Sequence, residues 1–213
     1  PLLSTKLFIP QPRPNLVQRP RLIDTLNQKI ASHFILISAP AGFGKSTLLC
    51  EWINTTTFPV AWVSLDDSDN DLVRFLSYII TALKNISPEI GDNALTALQS
   101  FQNTTIEELL ISLINDIVHQ NIDFILVLDD YHVIESRAID NALTFLLDHL
   151  PPQMCLVMAT RVTPSLPLSR FRAGNQMTEI RADDLRFTPQ EITVFFHEMI
   201  NHELELEEVL SLE

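Results

Sequence analysis

Four short stretches carry only apolar side chains: Phe34 to Ile37, Val60 to Val63, Phe124 to Leu128 and Cys155 to Ala159. They are too short for helices and rich in β-formers, and no polar residue alternates within them. Such runs predict strands buried on both faces. Met177 to Ile180 is a weaker fifth. Between the runs, apolar residues recur at helical spacing. Leu22, Ile23, Leu26 and Ile30 form one stripe, and Leu72, Phe75, Leu76, Ile79, Ile80 and Leu83 a second. Leu109, Leu110, Leu113, Ile114, Ile117 and Val118 follow a capping-box signature at Thr104 and Glu107. Ile139, Leu143, Leu146, Leu147 and Leu150 end at Pro151-Pro152. Strands that alternate with helices and are apolar throughout predict an α/β fold with a parallel sheet covered on both faces.

The ends read differently. Five of the 13 prolines fall within the first 20 residues, so residues 1–20 are expected to form an extended arm rather than a helix. Thr188-Pro189-Gln190-Glu191 is a helix start, with a cap, a proline at the first helical position and an acid to close the box. That helix is expected to reach about Ile200, and the pattern from His202 runs to Glu213 without a stop signal. The organisation expected is therefore an arm over 1–20, one main domain over 21–186, and over 187–213 the start of a helical segment continuing past Glu213.

Composition narrows the class. With 213 residues, 46% hydrophobic and 19% charged, the chain can bury a sizeable core and does not resemble a disordered one. The net charge of −13 and isoelectric point near 4.7 argue against this segment gripping DNA by itself. The charge is uneven: Lys6, Arg13, Arg19, Arg21 and Lys29 lie near the start, whereas residues 187–213 hold glutamates and no Lys or Arg. Cys50 and Cys155 lack disulfide or zinc spacing, and no apolar run approaches the roughly 18 residues needed to span a bilayer. A cytoplasmic location is expected.

The chemistry concentrates after the first strand, in "ISAPAGFGKSTLL". The phosphate-binding pattern is G-x-x-x-x-G-K-[ST], and Ala39 stands at its first glycine. Ala39 leaves the strand rather than wrapping the phosphate, so a methyl is tolerable there if φ is negative. Gly42 and Gly44 let the loop turn its N–H groups inward, with Ala41 and Phe43 between and beside them, and the helix starting near Lys45 adds the positive end of its dipole. Lys45 would reach the β- and γ-phosphates, and Ser46 would ligate Mg²⁺, with Thr47 completing the first turn. Phe124 to Leu128 then delivers Asp129 to hold the magnesium through water and Asp130 to orient or deprotonate an attacking water. The strand ending Met158-Ala159-Thr160 places Arg161 where it can sense or stabilise γ-phosphate charge. Arg170 and Arg172 are weaker candidates for the same task. Two other signals are discounted: His197-Glu198…His202 has its histidines five apart instead of four, and the acids from Asp66 to Asp71 read as caps for the helix that follows.

The segments "STKLFIPQPRPNLVQRPRL", "ISAPAGFGKSTLL", "PVAWVSLDDSDND", "LVLDDYHVI", "MATR" and "LRFTPQE" occur in the order seen in large MalT-type, LuxR-family ATP-dependent transcriptional regulators, which the chain resembles along its length. The resemblance implies a P-loop NTPase domain of the signal-transducing (STAND) class, a three-layer sandwich with sheet order 5-1-4-3-2. It also implies that Val17 and Arg19 lie against the adenine, and that ATP supports an inducer-bound, self-associating form while ADP holds the resting one. In such proteins the inducer-binding repeats and the DNA-binding helix-turn-helix lie beyond this segment. Asp130 stands where fast ATPases carry a glutamate, which suits a slow switch with weak Mg-dependent ATPase activity. The alternative is a free-standing P-loop kinase or hydrolase acting on a small molecule, with Arg170 and Arg172 in its lid.

Overall fold

The structure, a computed structural model, describes residues 1–11, 16–100 and 105–197. All five apolar runs are strands: β1 (Phe34–Ser38), β2 (Val60–Ser64), β3 (Phe124–Asp129), β4 (Met154–Thr160) and β5 (Met177–Arg181). They form one parallel sheet in the order β2-β3-β4-β1-β5, the order expected. Because successive side chains point to opposite faces, each apolar run feeds two cores. Ile35, Ile37, Val127 and Val157 pack under α1 (Pro20–Lys29) and α2 (Lys45–Ile53). Phe34, Leu36, Leu126 and Leu156 pack under the opposite layer. That layer contains α3 (Leu72–Lys84), α4 (Asp92–Ser100), α5 (Ile106–Gln120), α6 (Arg137–Asp148) and α7 (Leu168–Ala173). A last helix, α8 (Pro189–Phe195), follows the sheet.

Three local features depart from or refine the sequence expectation. The arm is not wholly extended, since Ser4–Leu7, a stretch free of proline, closes one 3-10 turn. The turn sets Lys6 in a buried position where its Nζ donates to Asp69 at 2.5 Å and lies 2.7 Å from Asp66. Thr104 lies outside the described residues, and the capping box of α5 is formed one residue later, by Thr105 and Glu108. The apolar stripes did not predict α4, a short helix reached through Gly91.

The acids from Asp66 to Asp71 do cap: Asp66 and Asp69 close a box around the turn Asp67–Asn70, and Asp71 accepts from the Arg74 N–H at the start of α3. The box at Thr188 and Glu191 also forms, starting α8. The described part of α8 ends at Phe195, so its expected extension to Ile200 lies largely outside the described residues.

Gly91 has φ +81°, and a Cβ there would approach Ile80 Cγ2 to 2.6 Å. Gly91→Ala is therefore expected to destabilise the fold by about 2 kcal/mol, from left-handed strain plus overpacking. Urea denaturation with an unchanged m-value would show it; an unchanged midpoint would contradict it.

Among the described residues, no helix is long and apolar enough to cross a membrane.

Candidate nucleotide site

The parallel sheet sends its strand ends, and the residues after them, to one edge. After β1, Ala39 extends the ladder by one hydrogen bond, its N–H donating to Thr160 O at 3.2 Å. Its φ is not positive and its methyl is buried in the α1–α2 core, which explains why the glycine can be absent. Gly42 (φ +87°) and Gly44 (φ +74°) turn the chain into α2. A Cβ at either would meet nothing within 4 Å, so backbone conformation rather than space calls for glycine there. Among the described residues, none accepts a backbone hydrogen bond from the N–H groups of Gly42, Phe43 or Gly44. Unpaired amides beside a helix N-terminus make an anion-binding cradle.

Lys45 is buried and folded back on the loop, donating to Ala39 O at 2.7 Å and Pro40 O at 3.0 Å. Burial pulls its ammonium below the ordinary lysine value; Asp130 and Asp129 push it back up, and Arg161 adds to the depression. Ser46 Oγ donates to Asp129 Oδ1 at 3.1 Å, and the Asp130 N–H donates to the same oxygen at 3.0 Å. Asp129 is 4% exposed, and burial, with the neighbouring Asp130 charge, raises its carboxyl despite those bonds. A hydroxyl and a buried carboxylate in contact beside a lysine form a suitable donor set for Mg²⁺ on a phosphate. Among the described residues, no group of three or more His, Cys, Asp or Glu could hold a metal ion. A magnesium held by one serine, one aspartate, phosphate oxygens and water does not need such a group.

Asp130 adopts φ +58° after β3 and leaves its carboxylate half exposed above the site. A left-handed aspartate is uncommon, and such strain concentrates at functional sites. Arg161 follows β4, the strand between β1 and β3, and is exposed with no hydrogen bond or ion pair among the described residues. The structure therefore brings Lys45, Ser46, Asp129, Asp130 and Arg161 to one edge. It takes Arg170 and Arg172 elsewhere: Arg170 pairs with Asp148 at the end of α6, and Arg172 with Glu179 on β5. His132 was missed. Its Nδ1 is buried without a hydrogen-bond partner, 3.7 Å from Asp130 Oδ1, and burial and Arg161 hold it below the ordinary histidine value.

Beside the loop lies a cleft of about 440 Å³. Ala41, Gly42, Phe43, Gly44 and Thr47 form the side nearest the loop, and Val17 lines it from the arm. Leu185 and Phe187, after β5, and Phe195 of α8 close the far wall. Leu185, Phe187 and Phe195 were not among the expected site residues, although the first two lie in "LRFTPQE", because nothing in a linear pattern says which loop folds back over another. Arg19 lines the cleft but spends its guanidinium on the wall, where Nη2 donates to Leu185 O and to Arg186 O at 3.2 Å.

The fold and site together define a P-loop NTPase domain. Solved structures with the same fold include a Walker-type ATPase of Pyrococcus abyssi (TM-score 0.55, 14% identity, covering 95% of this chain and 64% of that one). Cdc6p from Pyrobaculum aerophilum matches similarly (TM-score 0.55, 18% identity, 93% and 52% covered). By sequence, the chain is similar to part of the MalT-type HTH transcriptional regulators. It is 31% identical over 199 residues to MalT of Vibrio cholerae, 33% over 195 to that of Klebsiella pneumoniae and 32% over 204 to that of Yersinia pestis. These alignments cover 92% to 96% of this chain but 22% of each relative. No protein-family model matches the chain.

Proposed function

We propose that this domain binds ATP or ADP with Mg²⁺ and serves as the regulatory switch of a signal-responsive transcriptional activator, hydrolysing ATP slowly. The observation that carries it is the convergence of buried Lys45, Ser46 and Asp129 beside unpaired loop amides. On this reading Lys45 exchanges its two carbonyl acceptors for phosphate oxygens. Ser46 and Asp129 hold the magnesium, which when bound would neutralise phosphate charge. Arg161 sits free to report the γ-phosphate, and Asp130 orients water. A short, half-exposed aspartate in place of the longer glutamate favours slow turnover. The base occupies the cleft between Val17 and Phe187. DNA and inducer recognition, and ATP-dependent self-association, belong to the full-length protein, with residues 21–186 as the nucleotide domain and the chain from 187 opening the next segment.

Titration of the purified chain with ATP and ADP, with and without Mg²⁺, tests the reading; failure to bind either nucleotide would refute it. Asp129→Asn is expected to abolish the gain in affinity that Mg²⁺ confers while leaving metal-free ADP binding within about threefold, since asparagine keeps the Ser46 contact but loses the charge that attracts the ion. Calorimetry at several Mg²⁺ concentrations reads this out, and a retained magnesium response would remove Asp129 from the metal site. The ion pairs of Arg170 with Asp148 and of Arg172 with Glu179 weigh against the alternative of a free-standing kinase or hydrolase that would use these arginines in its lid.

A further inference from the structure

The far wall of the base cleft is held by charge rather than by the sheet. Arg21 Nη1 donates to Asp184 O at 2.7 Å and Nη2 to Arg186 O at 2.6 Å. The same guanidinium grips Glu191 on α8 with both arms, at 3.1 Å (Nε to Oε1) and 3.2 Å (Nη2 to Oε2). Arg19, two residues earlier at the N-cap of α1, donates to Leu185 O and Arg186 O and lies 5.0 Å from the Phe187 ring centroid. Its N–H donates to Glu51 on α2, the helix that carries Lys45 and Ser46, at 3.3 Å. Phe187 in turn meets Phe195 of α8 at 5.9 Å. Two arginines thus tie three elements together: the phosphate-loop helix, the segment 184–187, and α8.

The tie is incomplete. Arg19 is buried, yet its Nε has no hydrogen-bond partner, and Glu191 Oε2 is 3.9 Å away. That is about 1 Å beyond a normal hydrogen bond, so a small inward shift of α8 would satisfy an otherwise costly orphan donor. Glu191 is ready for it: burial raises its carboxyl, but the Arg21 and Thr188 bonds and the Arg19 charge outweigh this and hold it below the ordinary value.

We propose that Arg19, Arg21 and Glu191 are positioning residues forming a latch through which filling of the base cleft and inward seating of α8 favour each other. The proposal rests on the nucleotide reading above. A base packed against Phe187 draws in the wall, the wall carries α8, and the Arg19–Glu191 bond closes. Because linkage is reciprocal, whatever displaces α8 weakens nucleotide binding by the same factor.

Glu191→Gln tests it cleanly, since glutamine can keep the capping box with Thr188 while losing the charge. Arg21→Gln is a second variant, at a residue that does not line the cleft. Both are expected to weaken fluorescent ADP binding about five- to tenfold. In the wild-type chain, ADP should slow amide hydrogen exchange across residues 185–197; in both variants that response should be lost. Affinities within twofold of wild type, or weakened binding with the exchange response intact, would overturn the latch. Wild-type protein that binds no nucleotide would instead refute the proposed function. Should Glu191→Gln unfold, Arg21→Gln alone decides.

Discussion

Lys45→Ala is expected to weaken ADP and ATP binding by at least about 100-fold, the equivalent of roughly 3 kcal/mol. The side chain is buried at the centre of the site, and its ammonium already donates to two loop carbonyls, Ala39 O and Pro40 O. A phosphate offers the same donor a charge-assisted bond, roughly twice as strong as a neutral one, so exchange of partners is favourable. The balance of shifts on Lys45 agrees. Burial and Arg161 disfavour its charge while Asp130 and Asp129 support it, so the negative charge of a bound phosphate would offset the first two and favour the ammonium. Alanine removes the donor and leaves two carbonyls without it. Fluorescence titration with a labelled nucleotide, on protein whose melt shows it folded, gives the result. Binding within threefold of wild type would mean the loop amides alone hold the ligand.

Asp69→Ala is expected to produce the largest loss of stability, about 3 to 5 kcal/mol. Asp69 is completely buried and accepts from three donors: Lys6 Nζ, Arg74 Nε and the Asp66 N–H. The pair with Lys6 is not strongly stabilising in itself, because both charges leave water. Its removal is costly because Lys6, also buried, keeps its charge with the exposed Asp66 as its remaining carboxylate partner among the described residues. The remaining Asp66 bond cannot replace an enclosed carboxylate. Guanidinium or urea denaturation measures the effect, and for a chain of this size the melting temperature should fall by roughly 10 °C or more. Lys6→Met combined with Asp69→Leu should recover part of the loss, since the stranded charge goes with its partner. A single variant as stable as wild type would show that water reaches the cluster. The same acids tie the arm to the site's surroundings, because neighbouring Asn70 donates to Val133 O and accepts from the Glu135 N–H, just past Asp130.

The five strands, their parallel arrangement and the phosphate loop were legible along the chain, because each depends on short-range pattern. An unbroken apolar run must be buried on both faces, and glycines at 42 and 44 answer to local φ whatever surrounds them. Asp129 and Arg161 were equally legible, since a parallel sheet sends every strand end to one edge. The arm was less so: its prolines argued for extension, but a buried Lys6 seeking Asp69 folded Ser4–Leu7 into a turn. His132 escaped notice because a single histidine after an acidic pair carries no spacing signal.

The sequence alone thus determined the sheet, the anion cradle and the acids that face it, since periodicity and local backbone chemistry suffice for these. Only the tertiary structure decided what the cradle's neighbours do. Arg19, which lines the cleft, also came to brace its wall, Phe187 and Phe195 came to line the cleft, and Glu191, 170 residues from Arg21, became its partner in an ion pair. Such contacts join segments far apart in the chain, where no local rule constrains which side chain meets which.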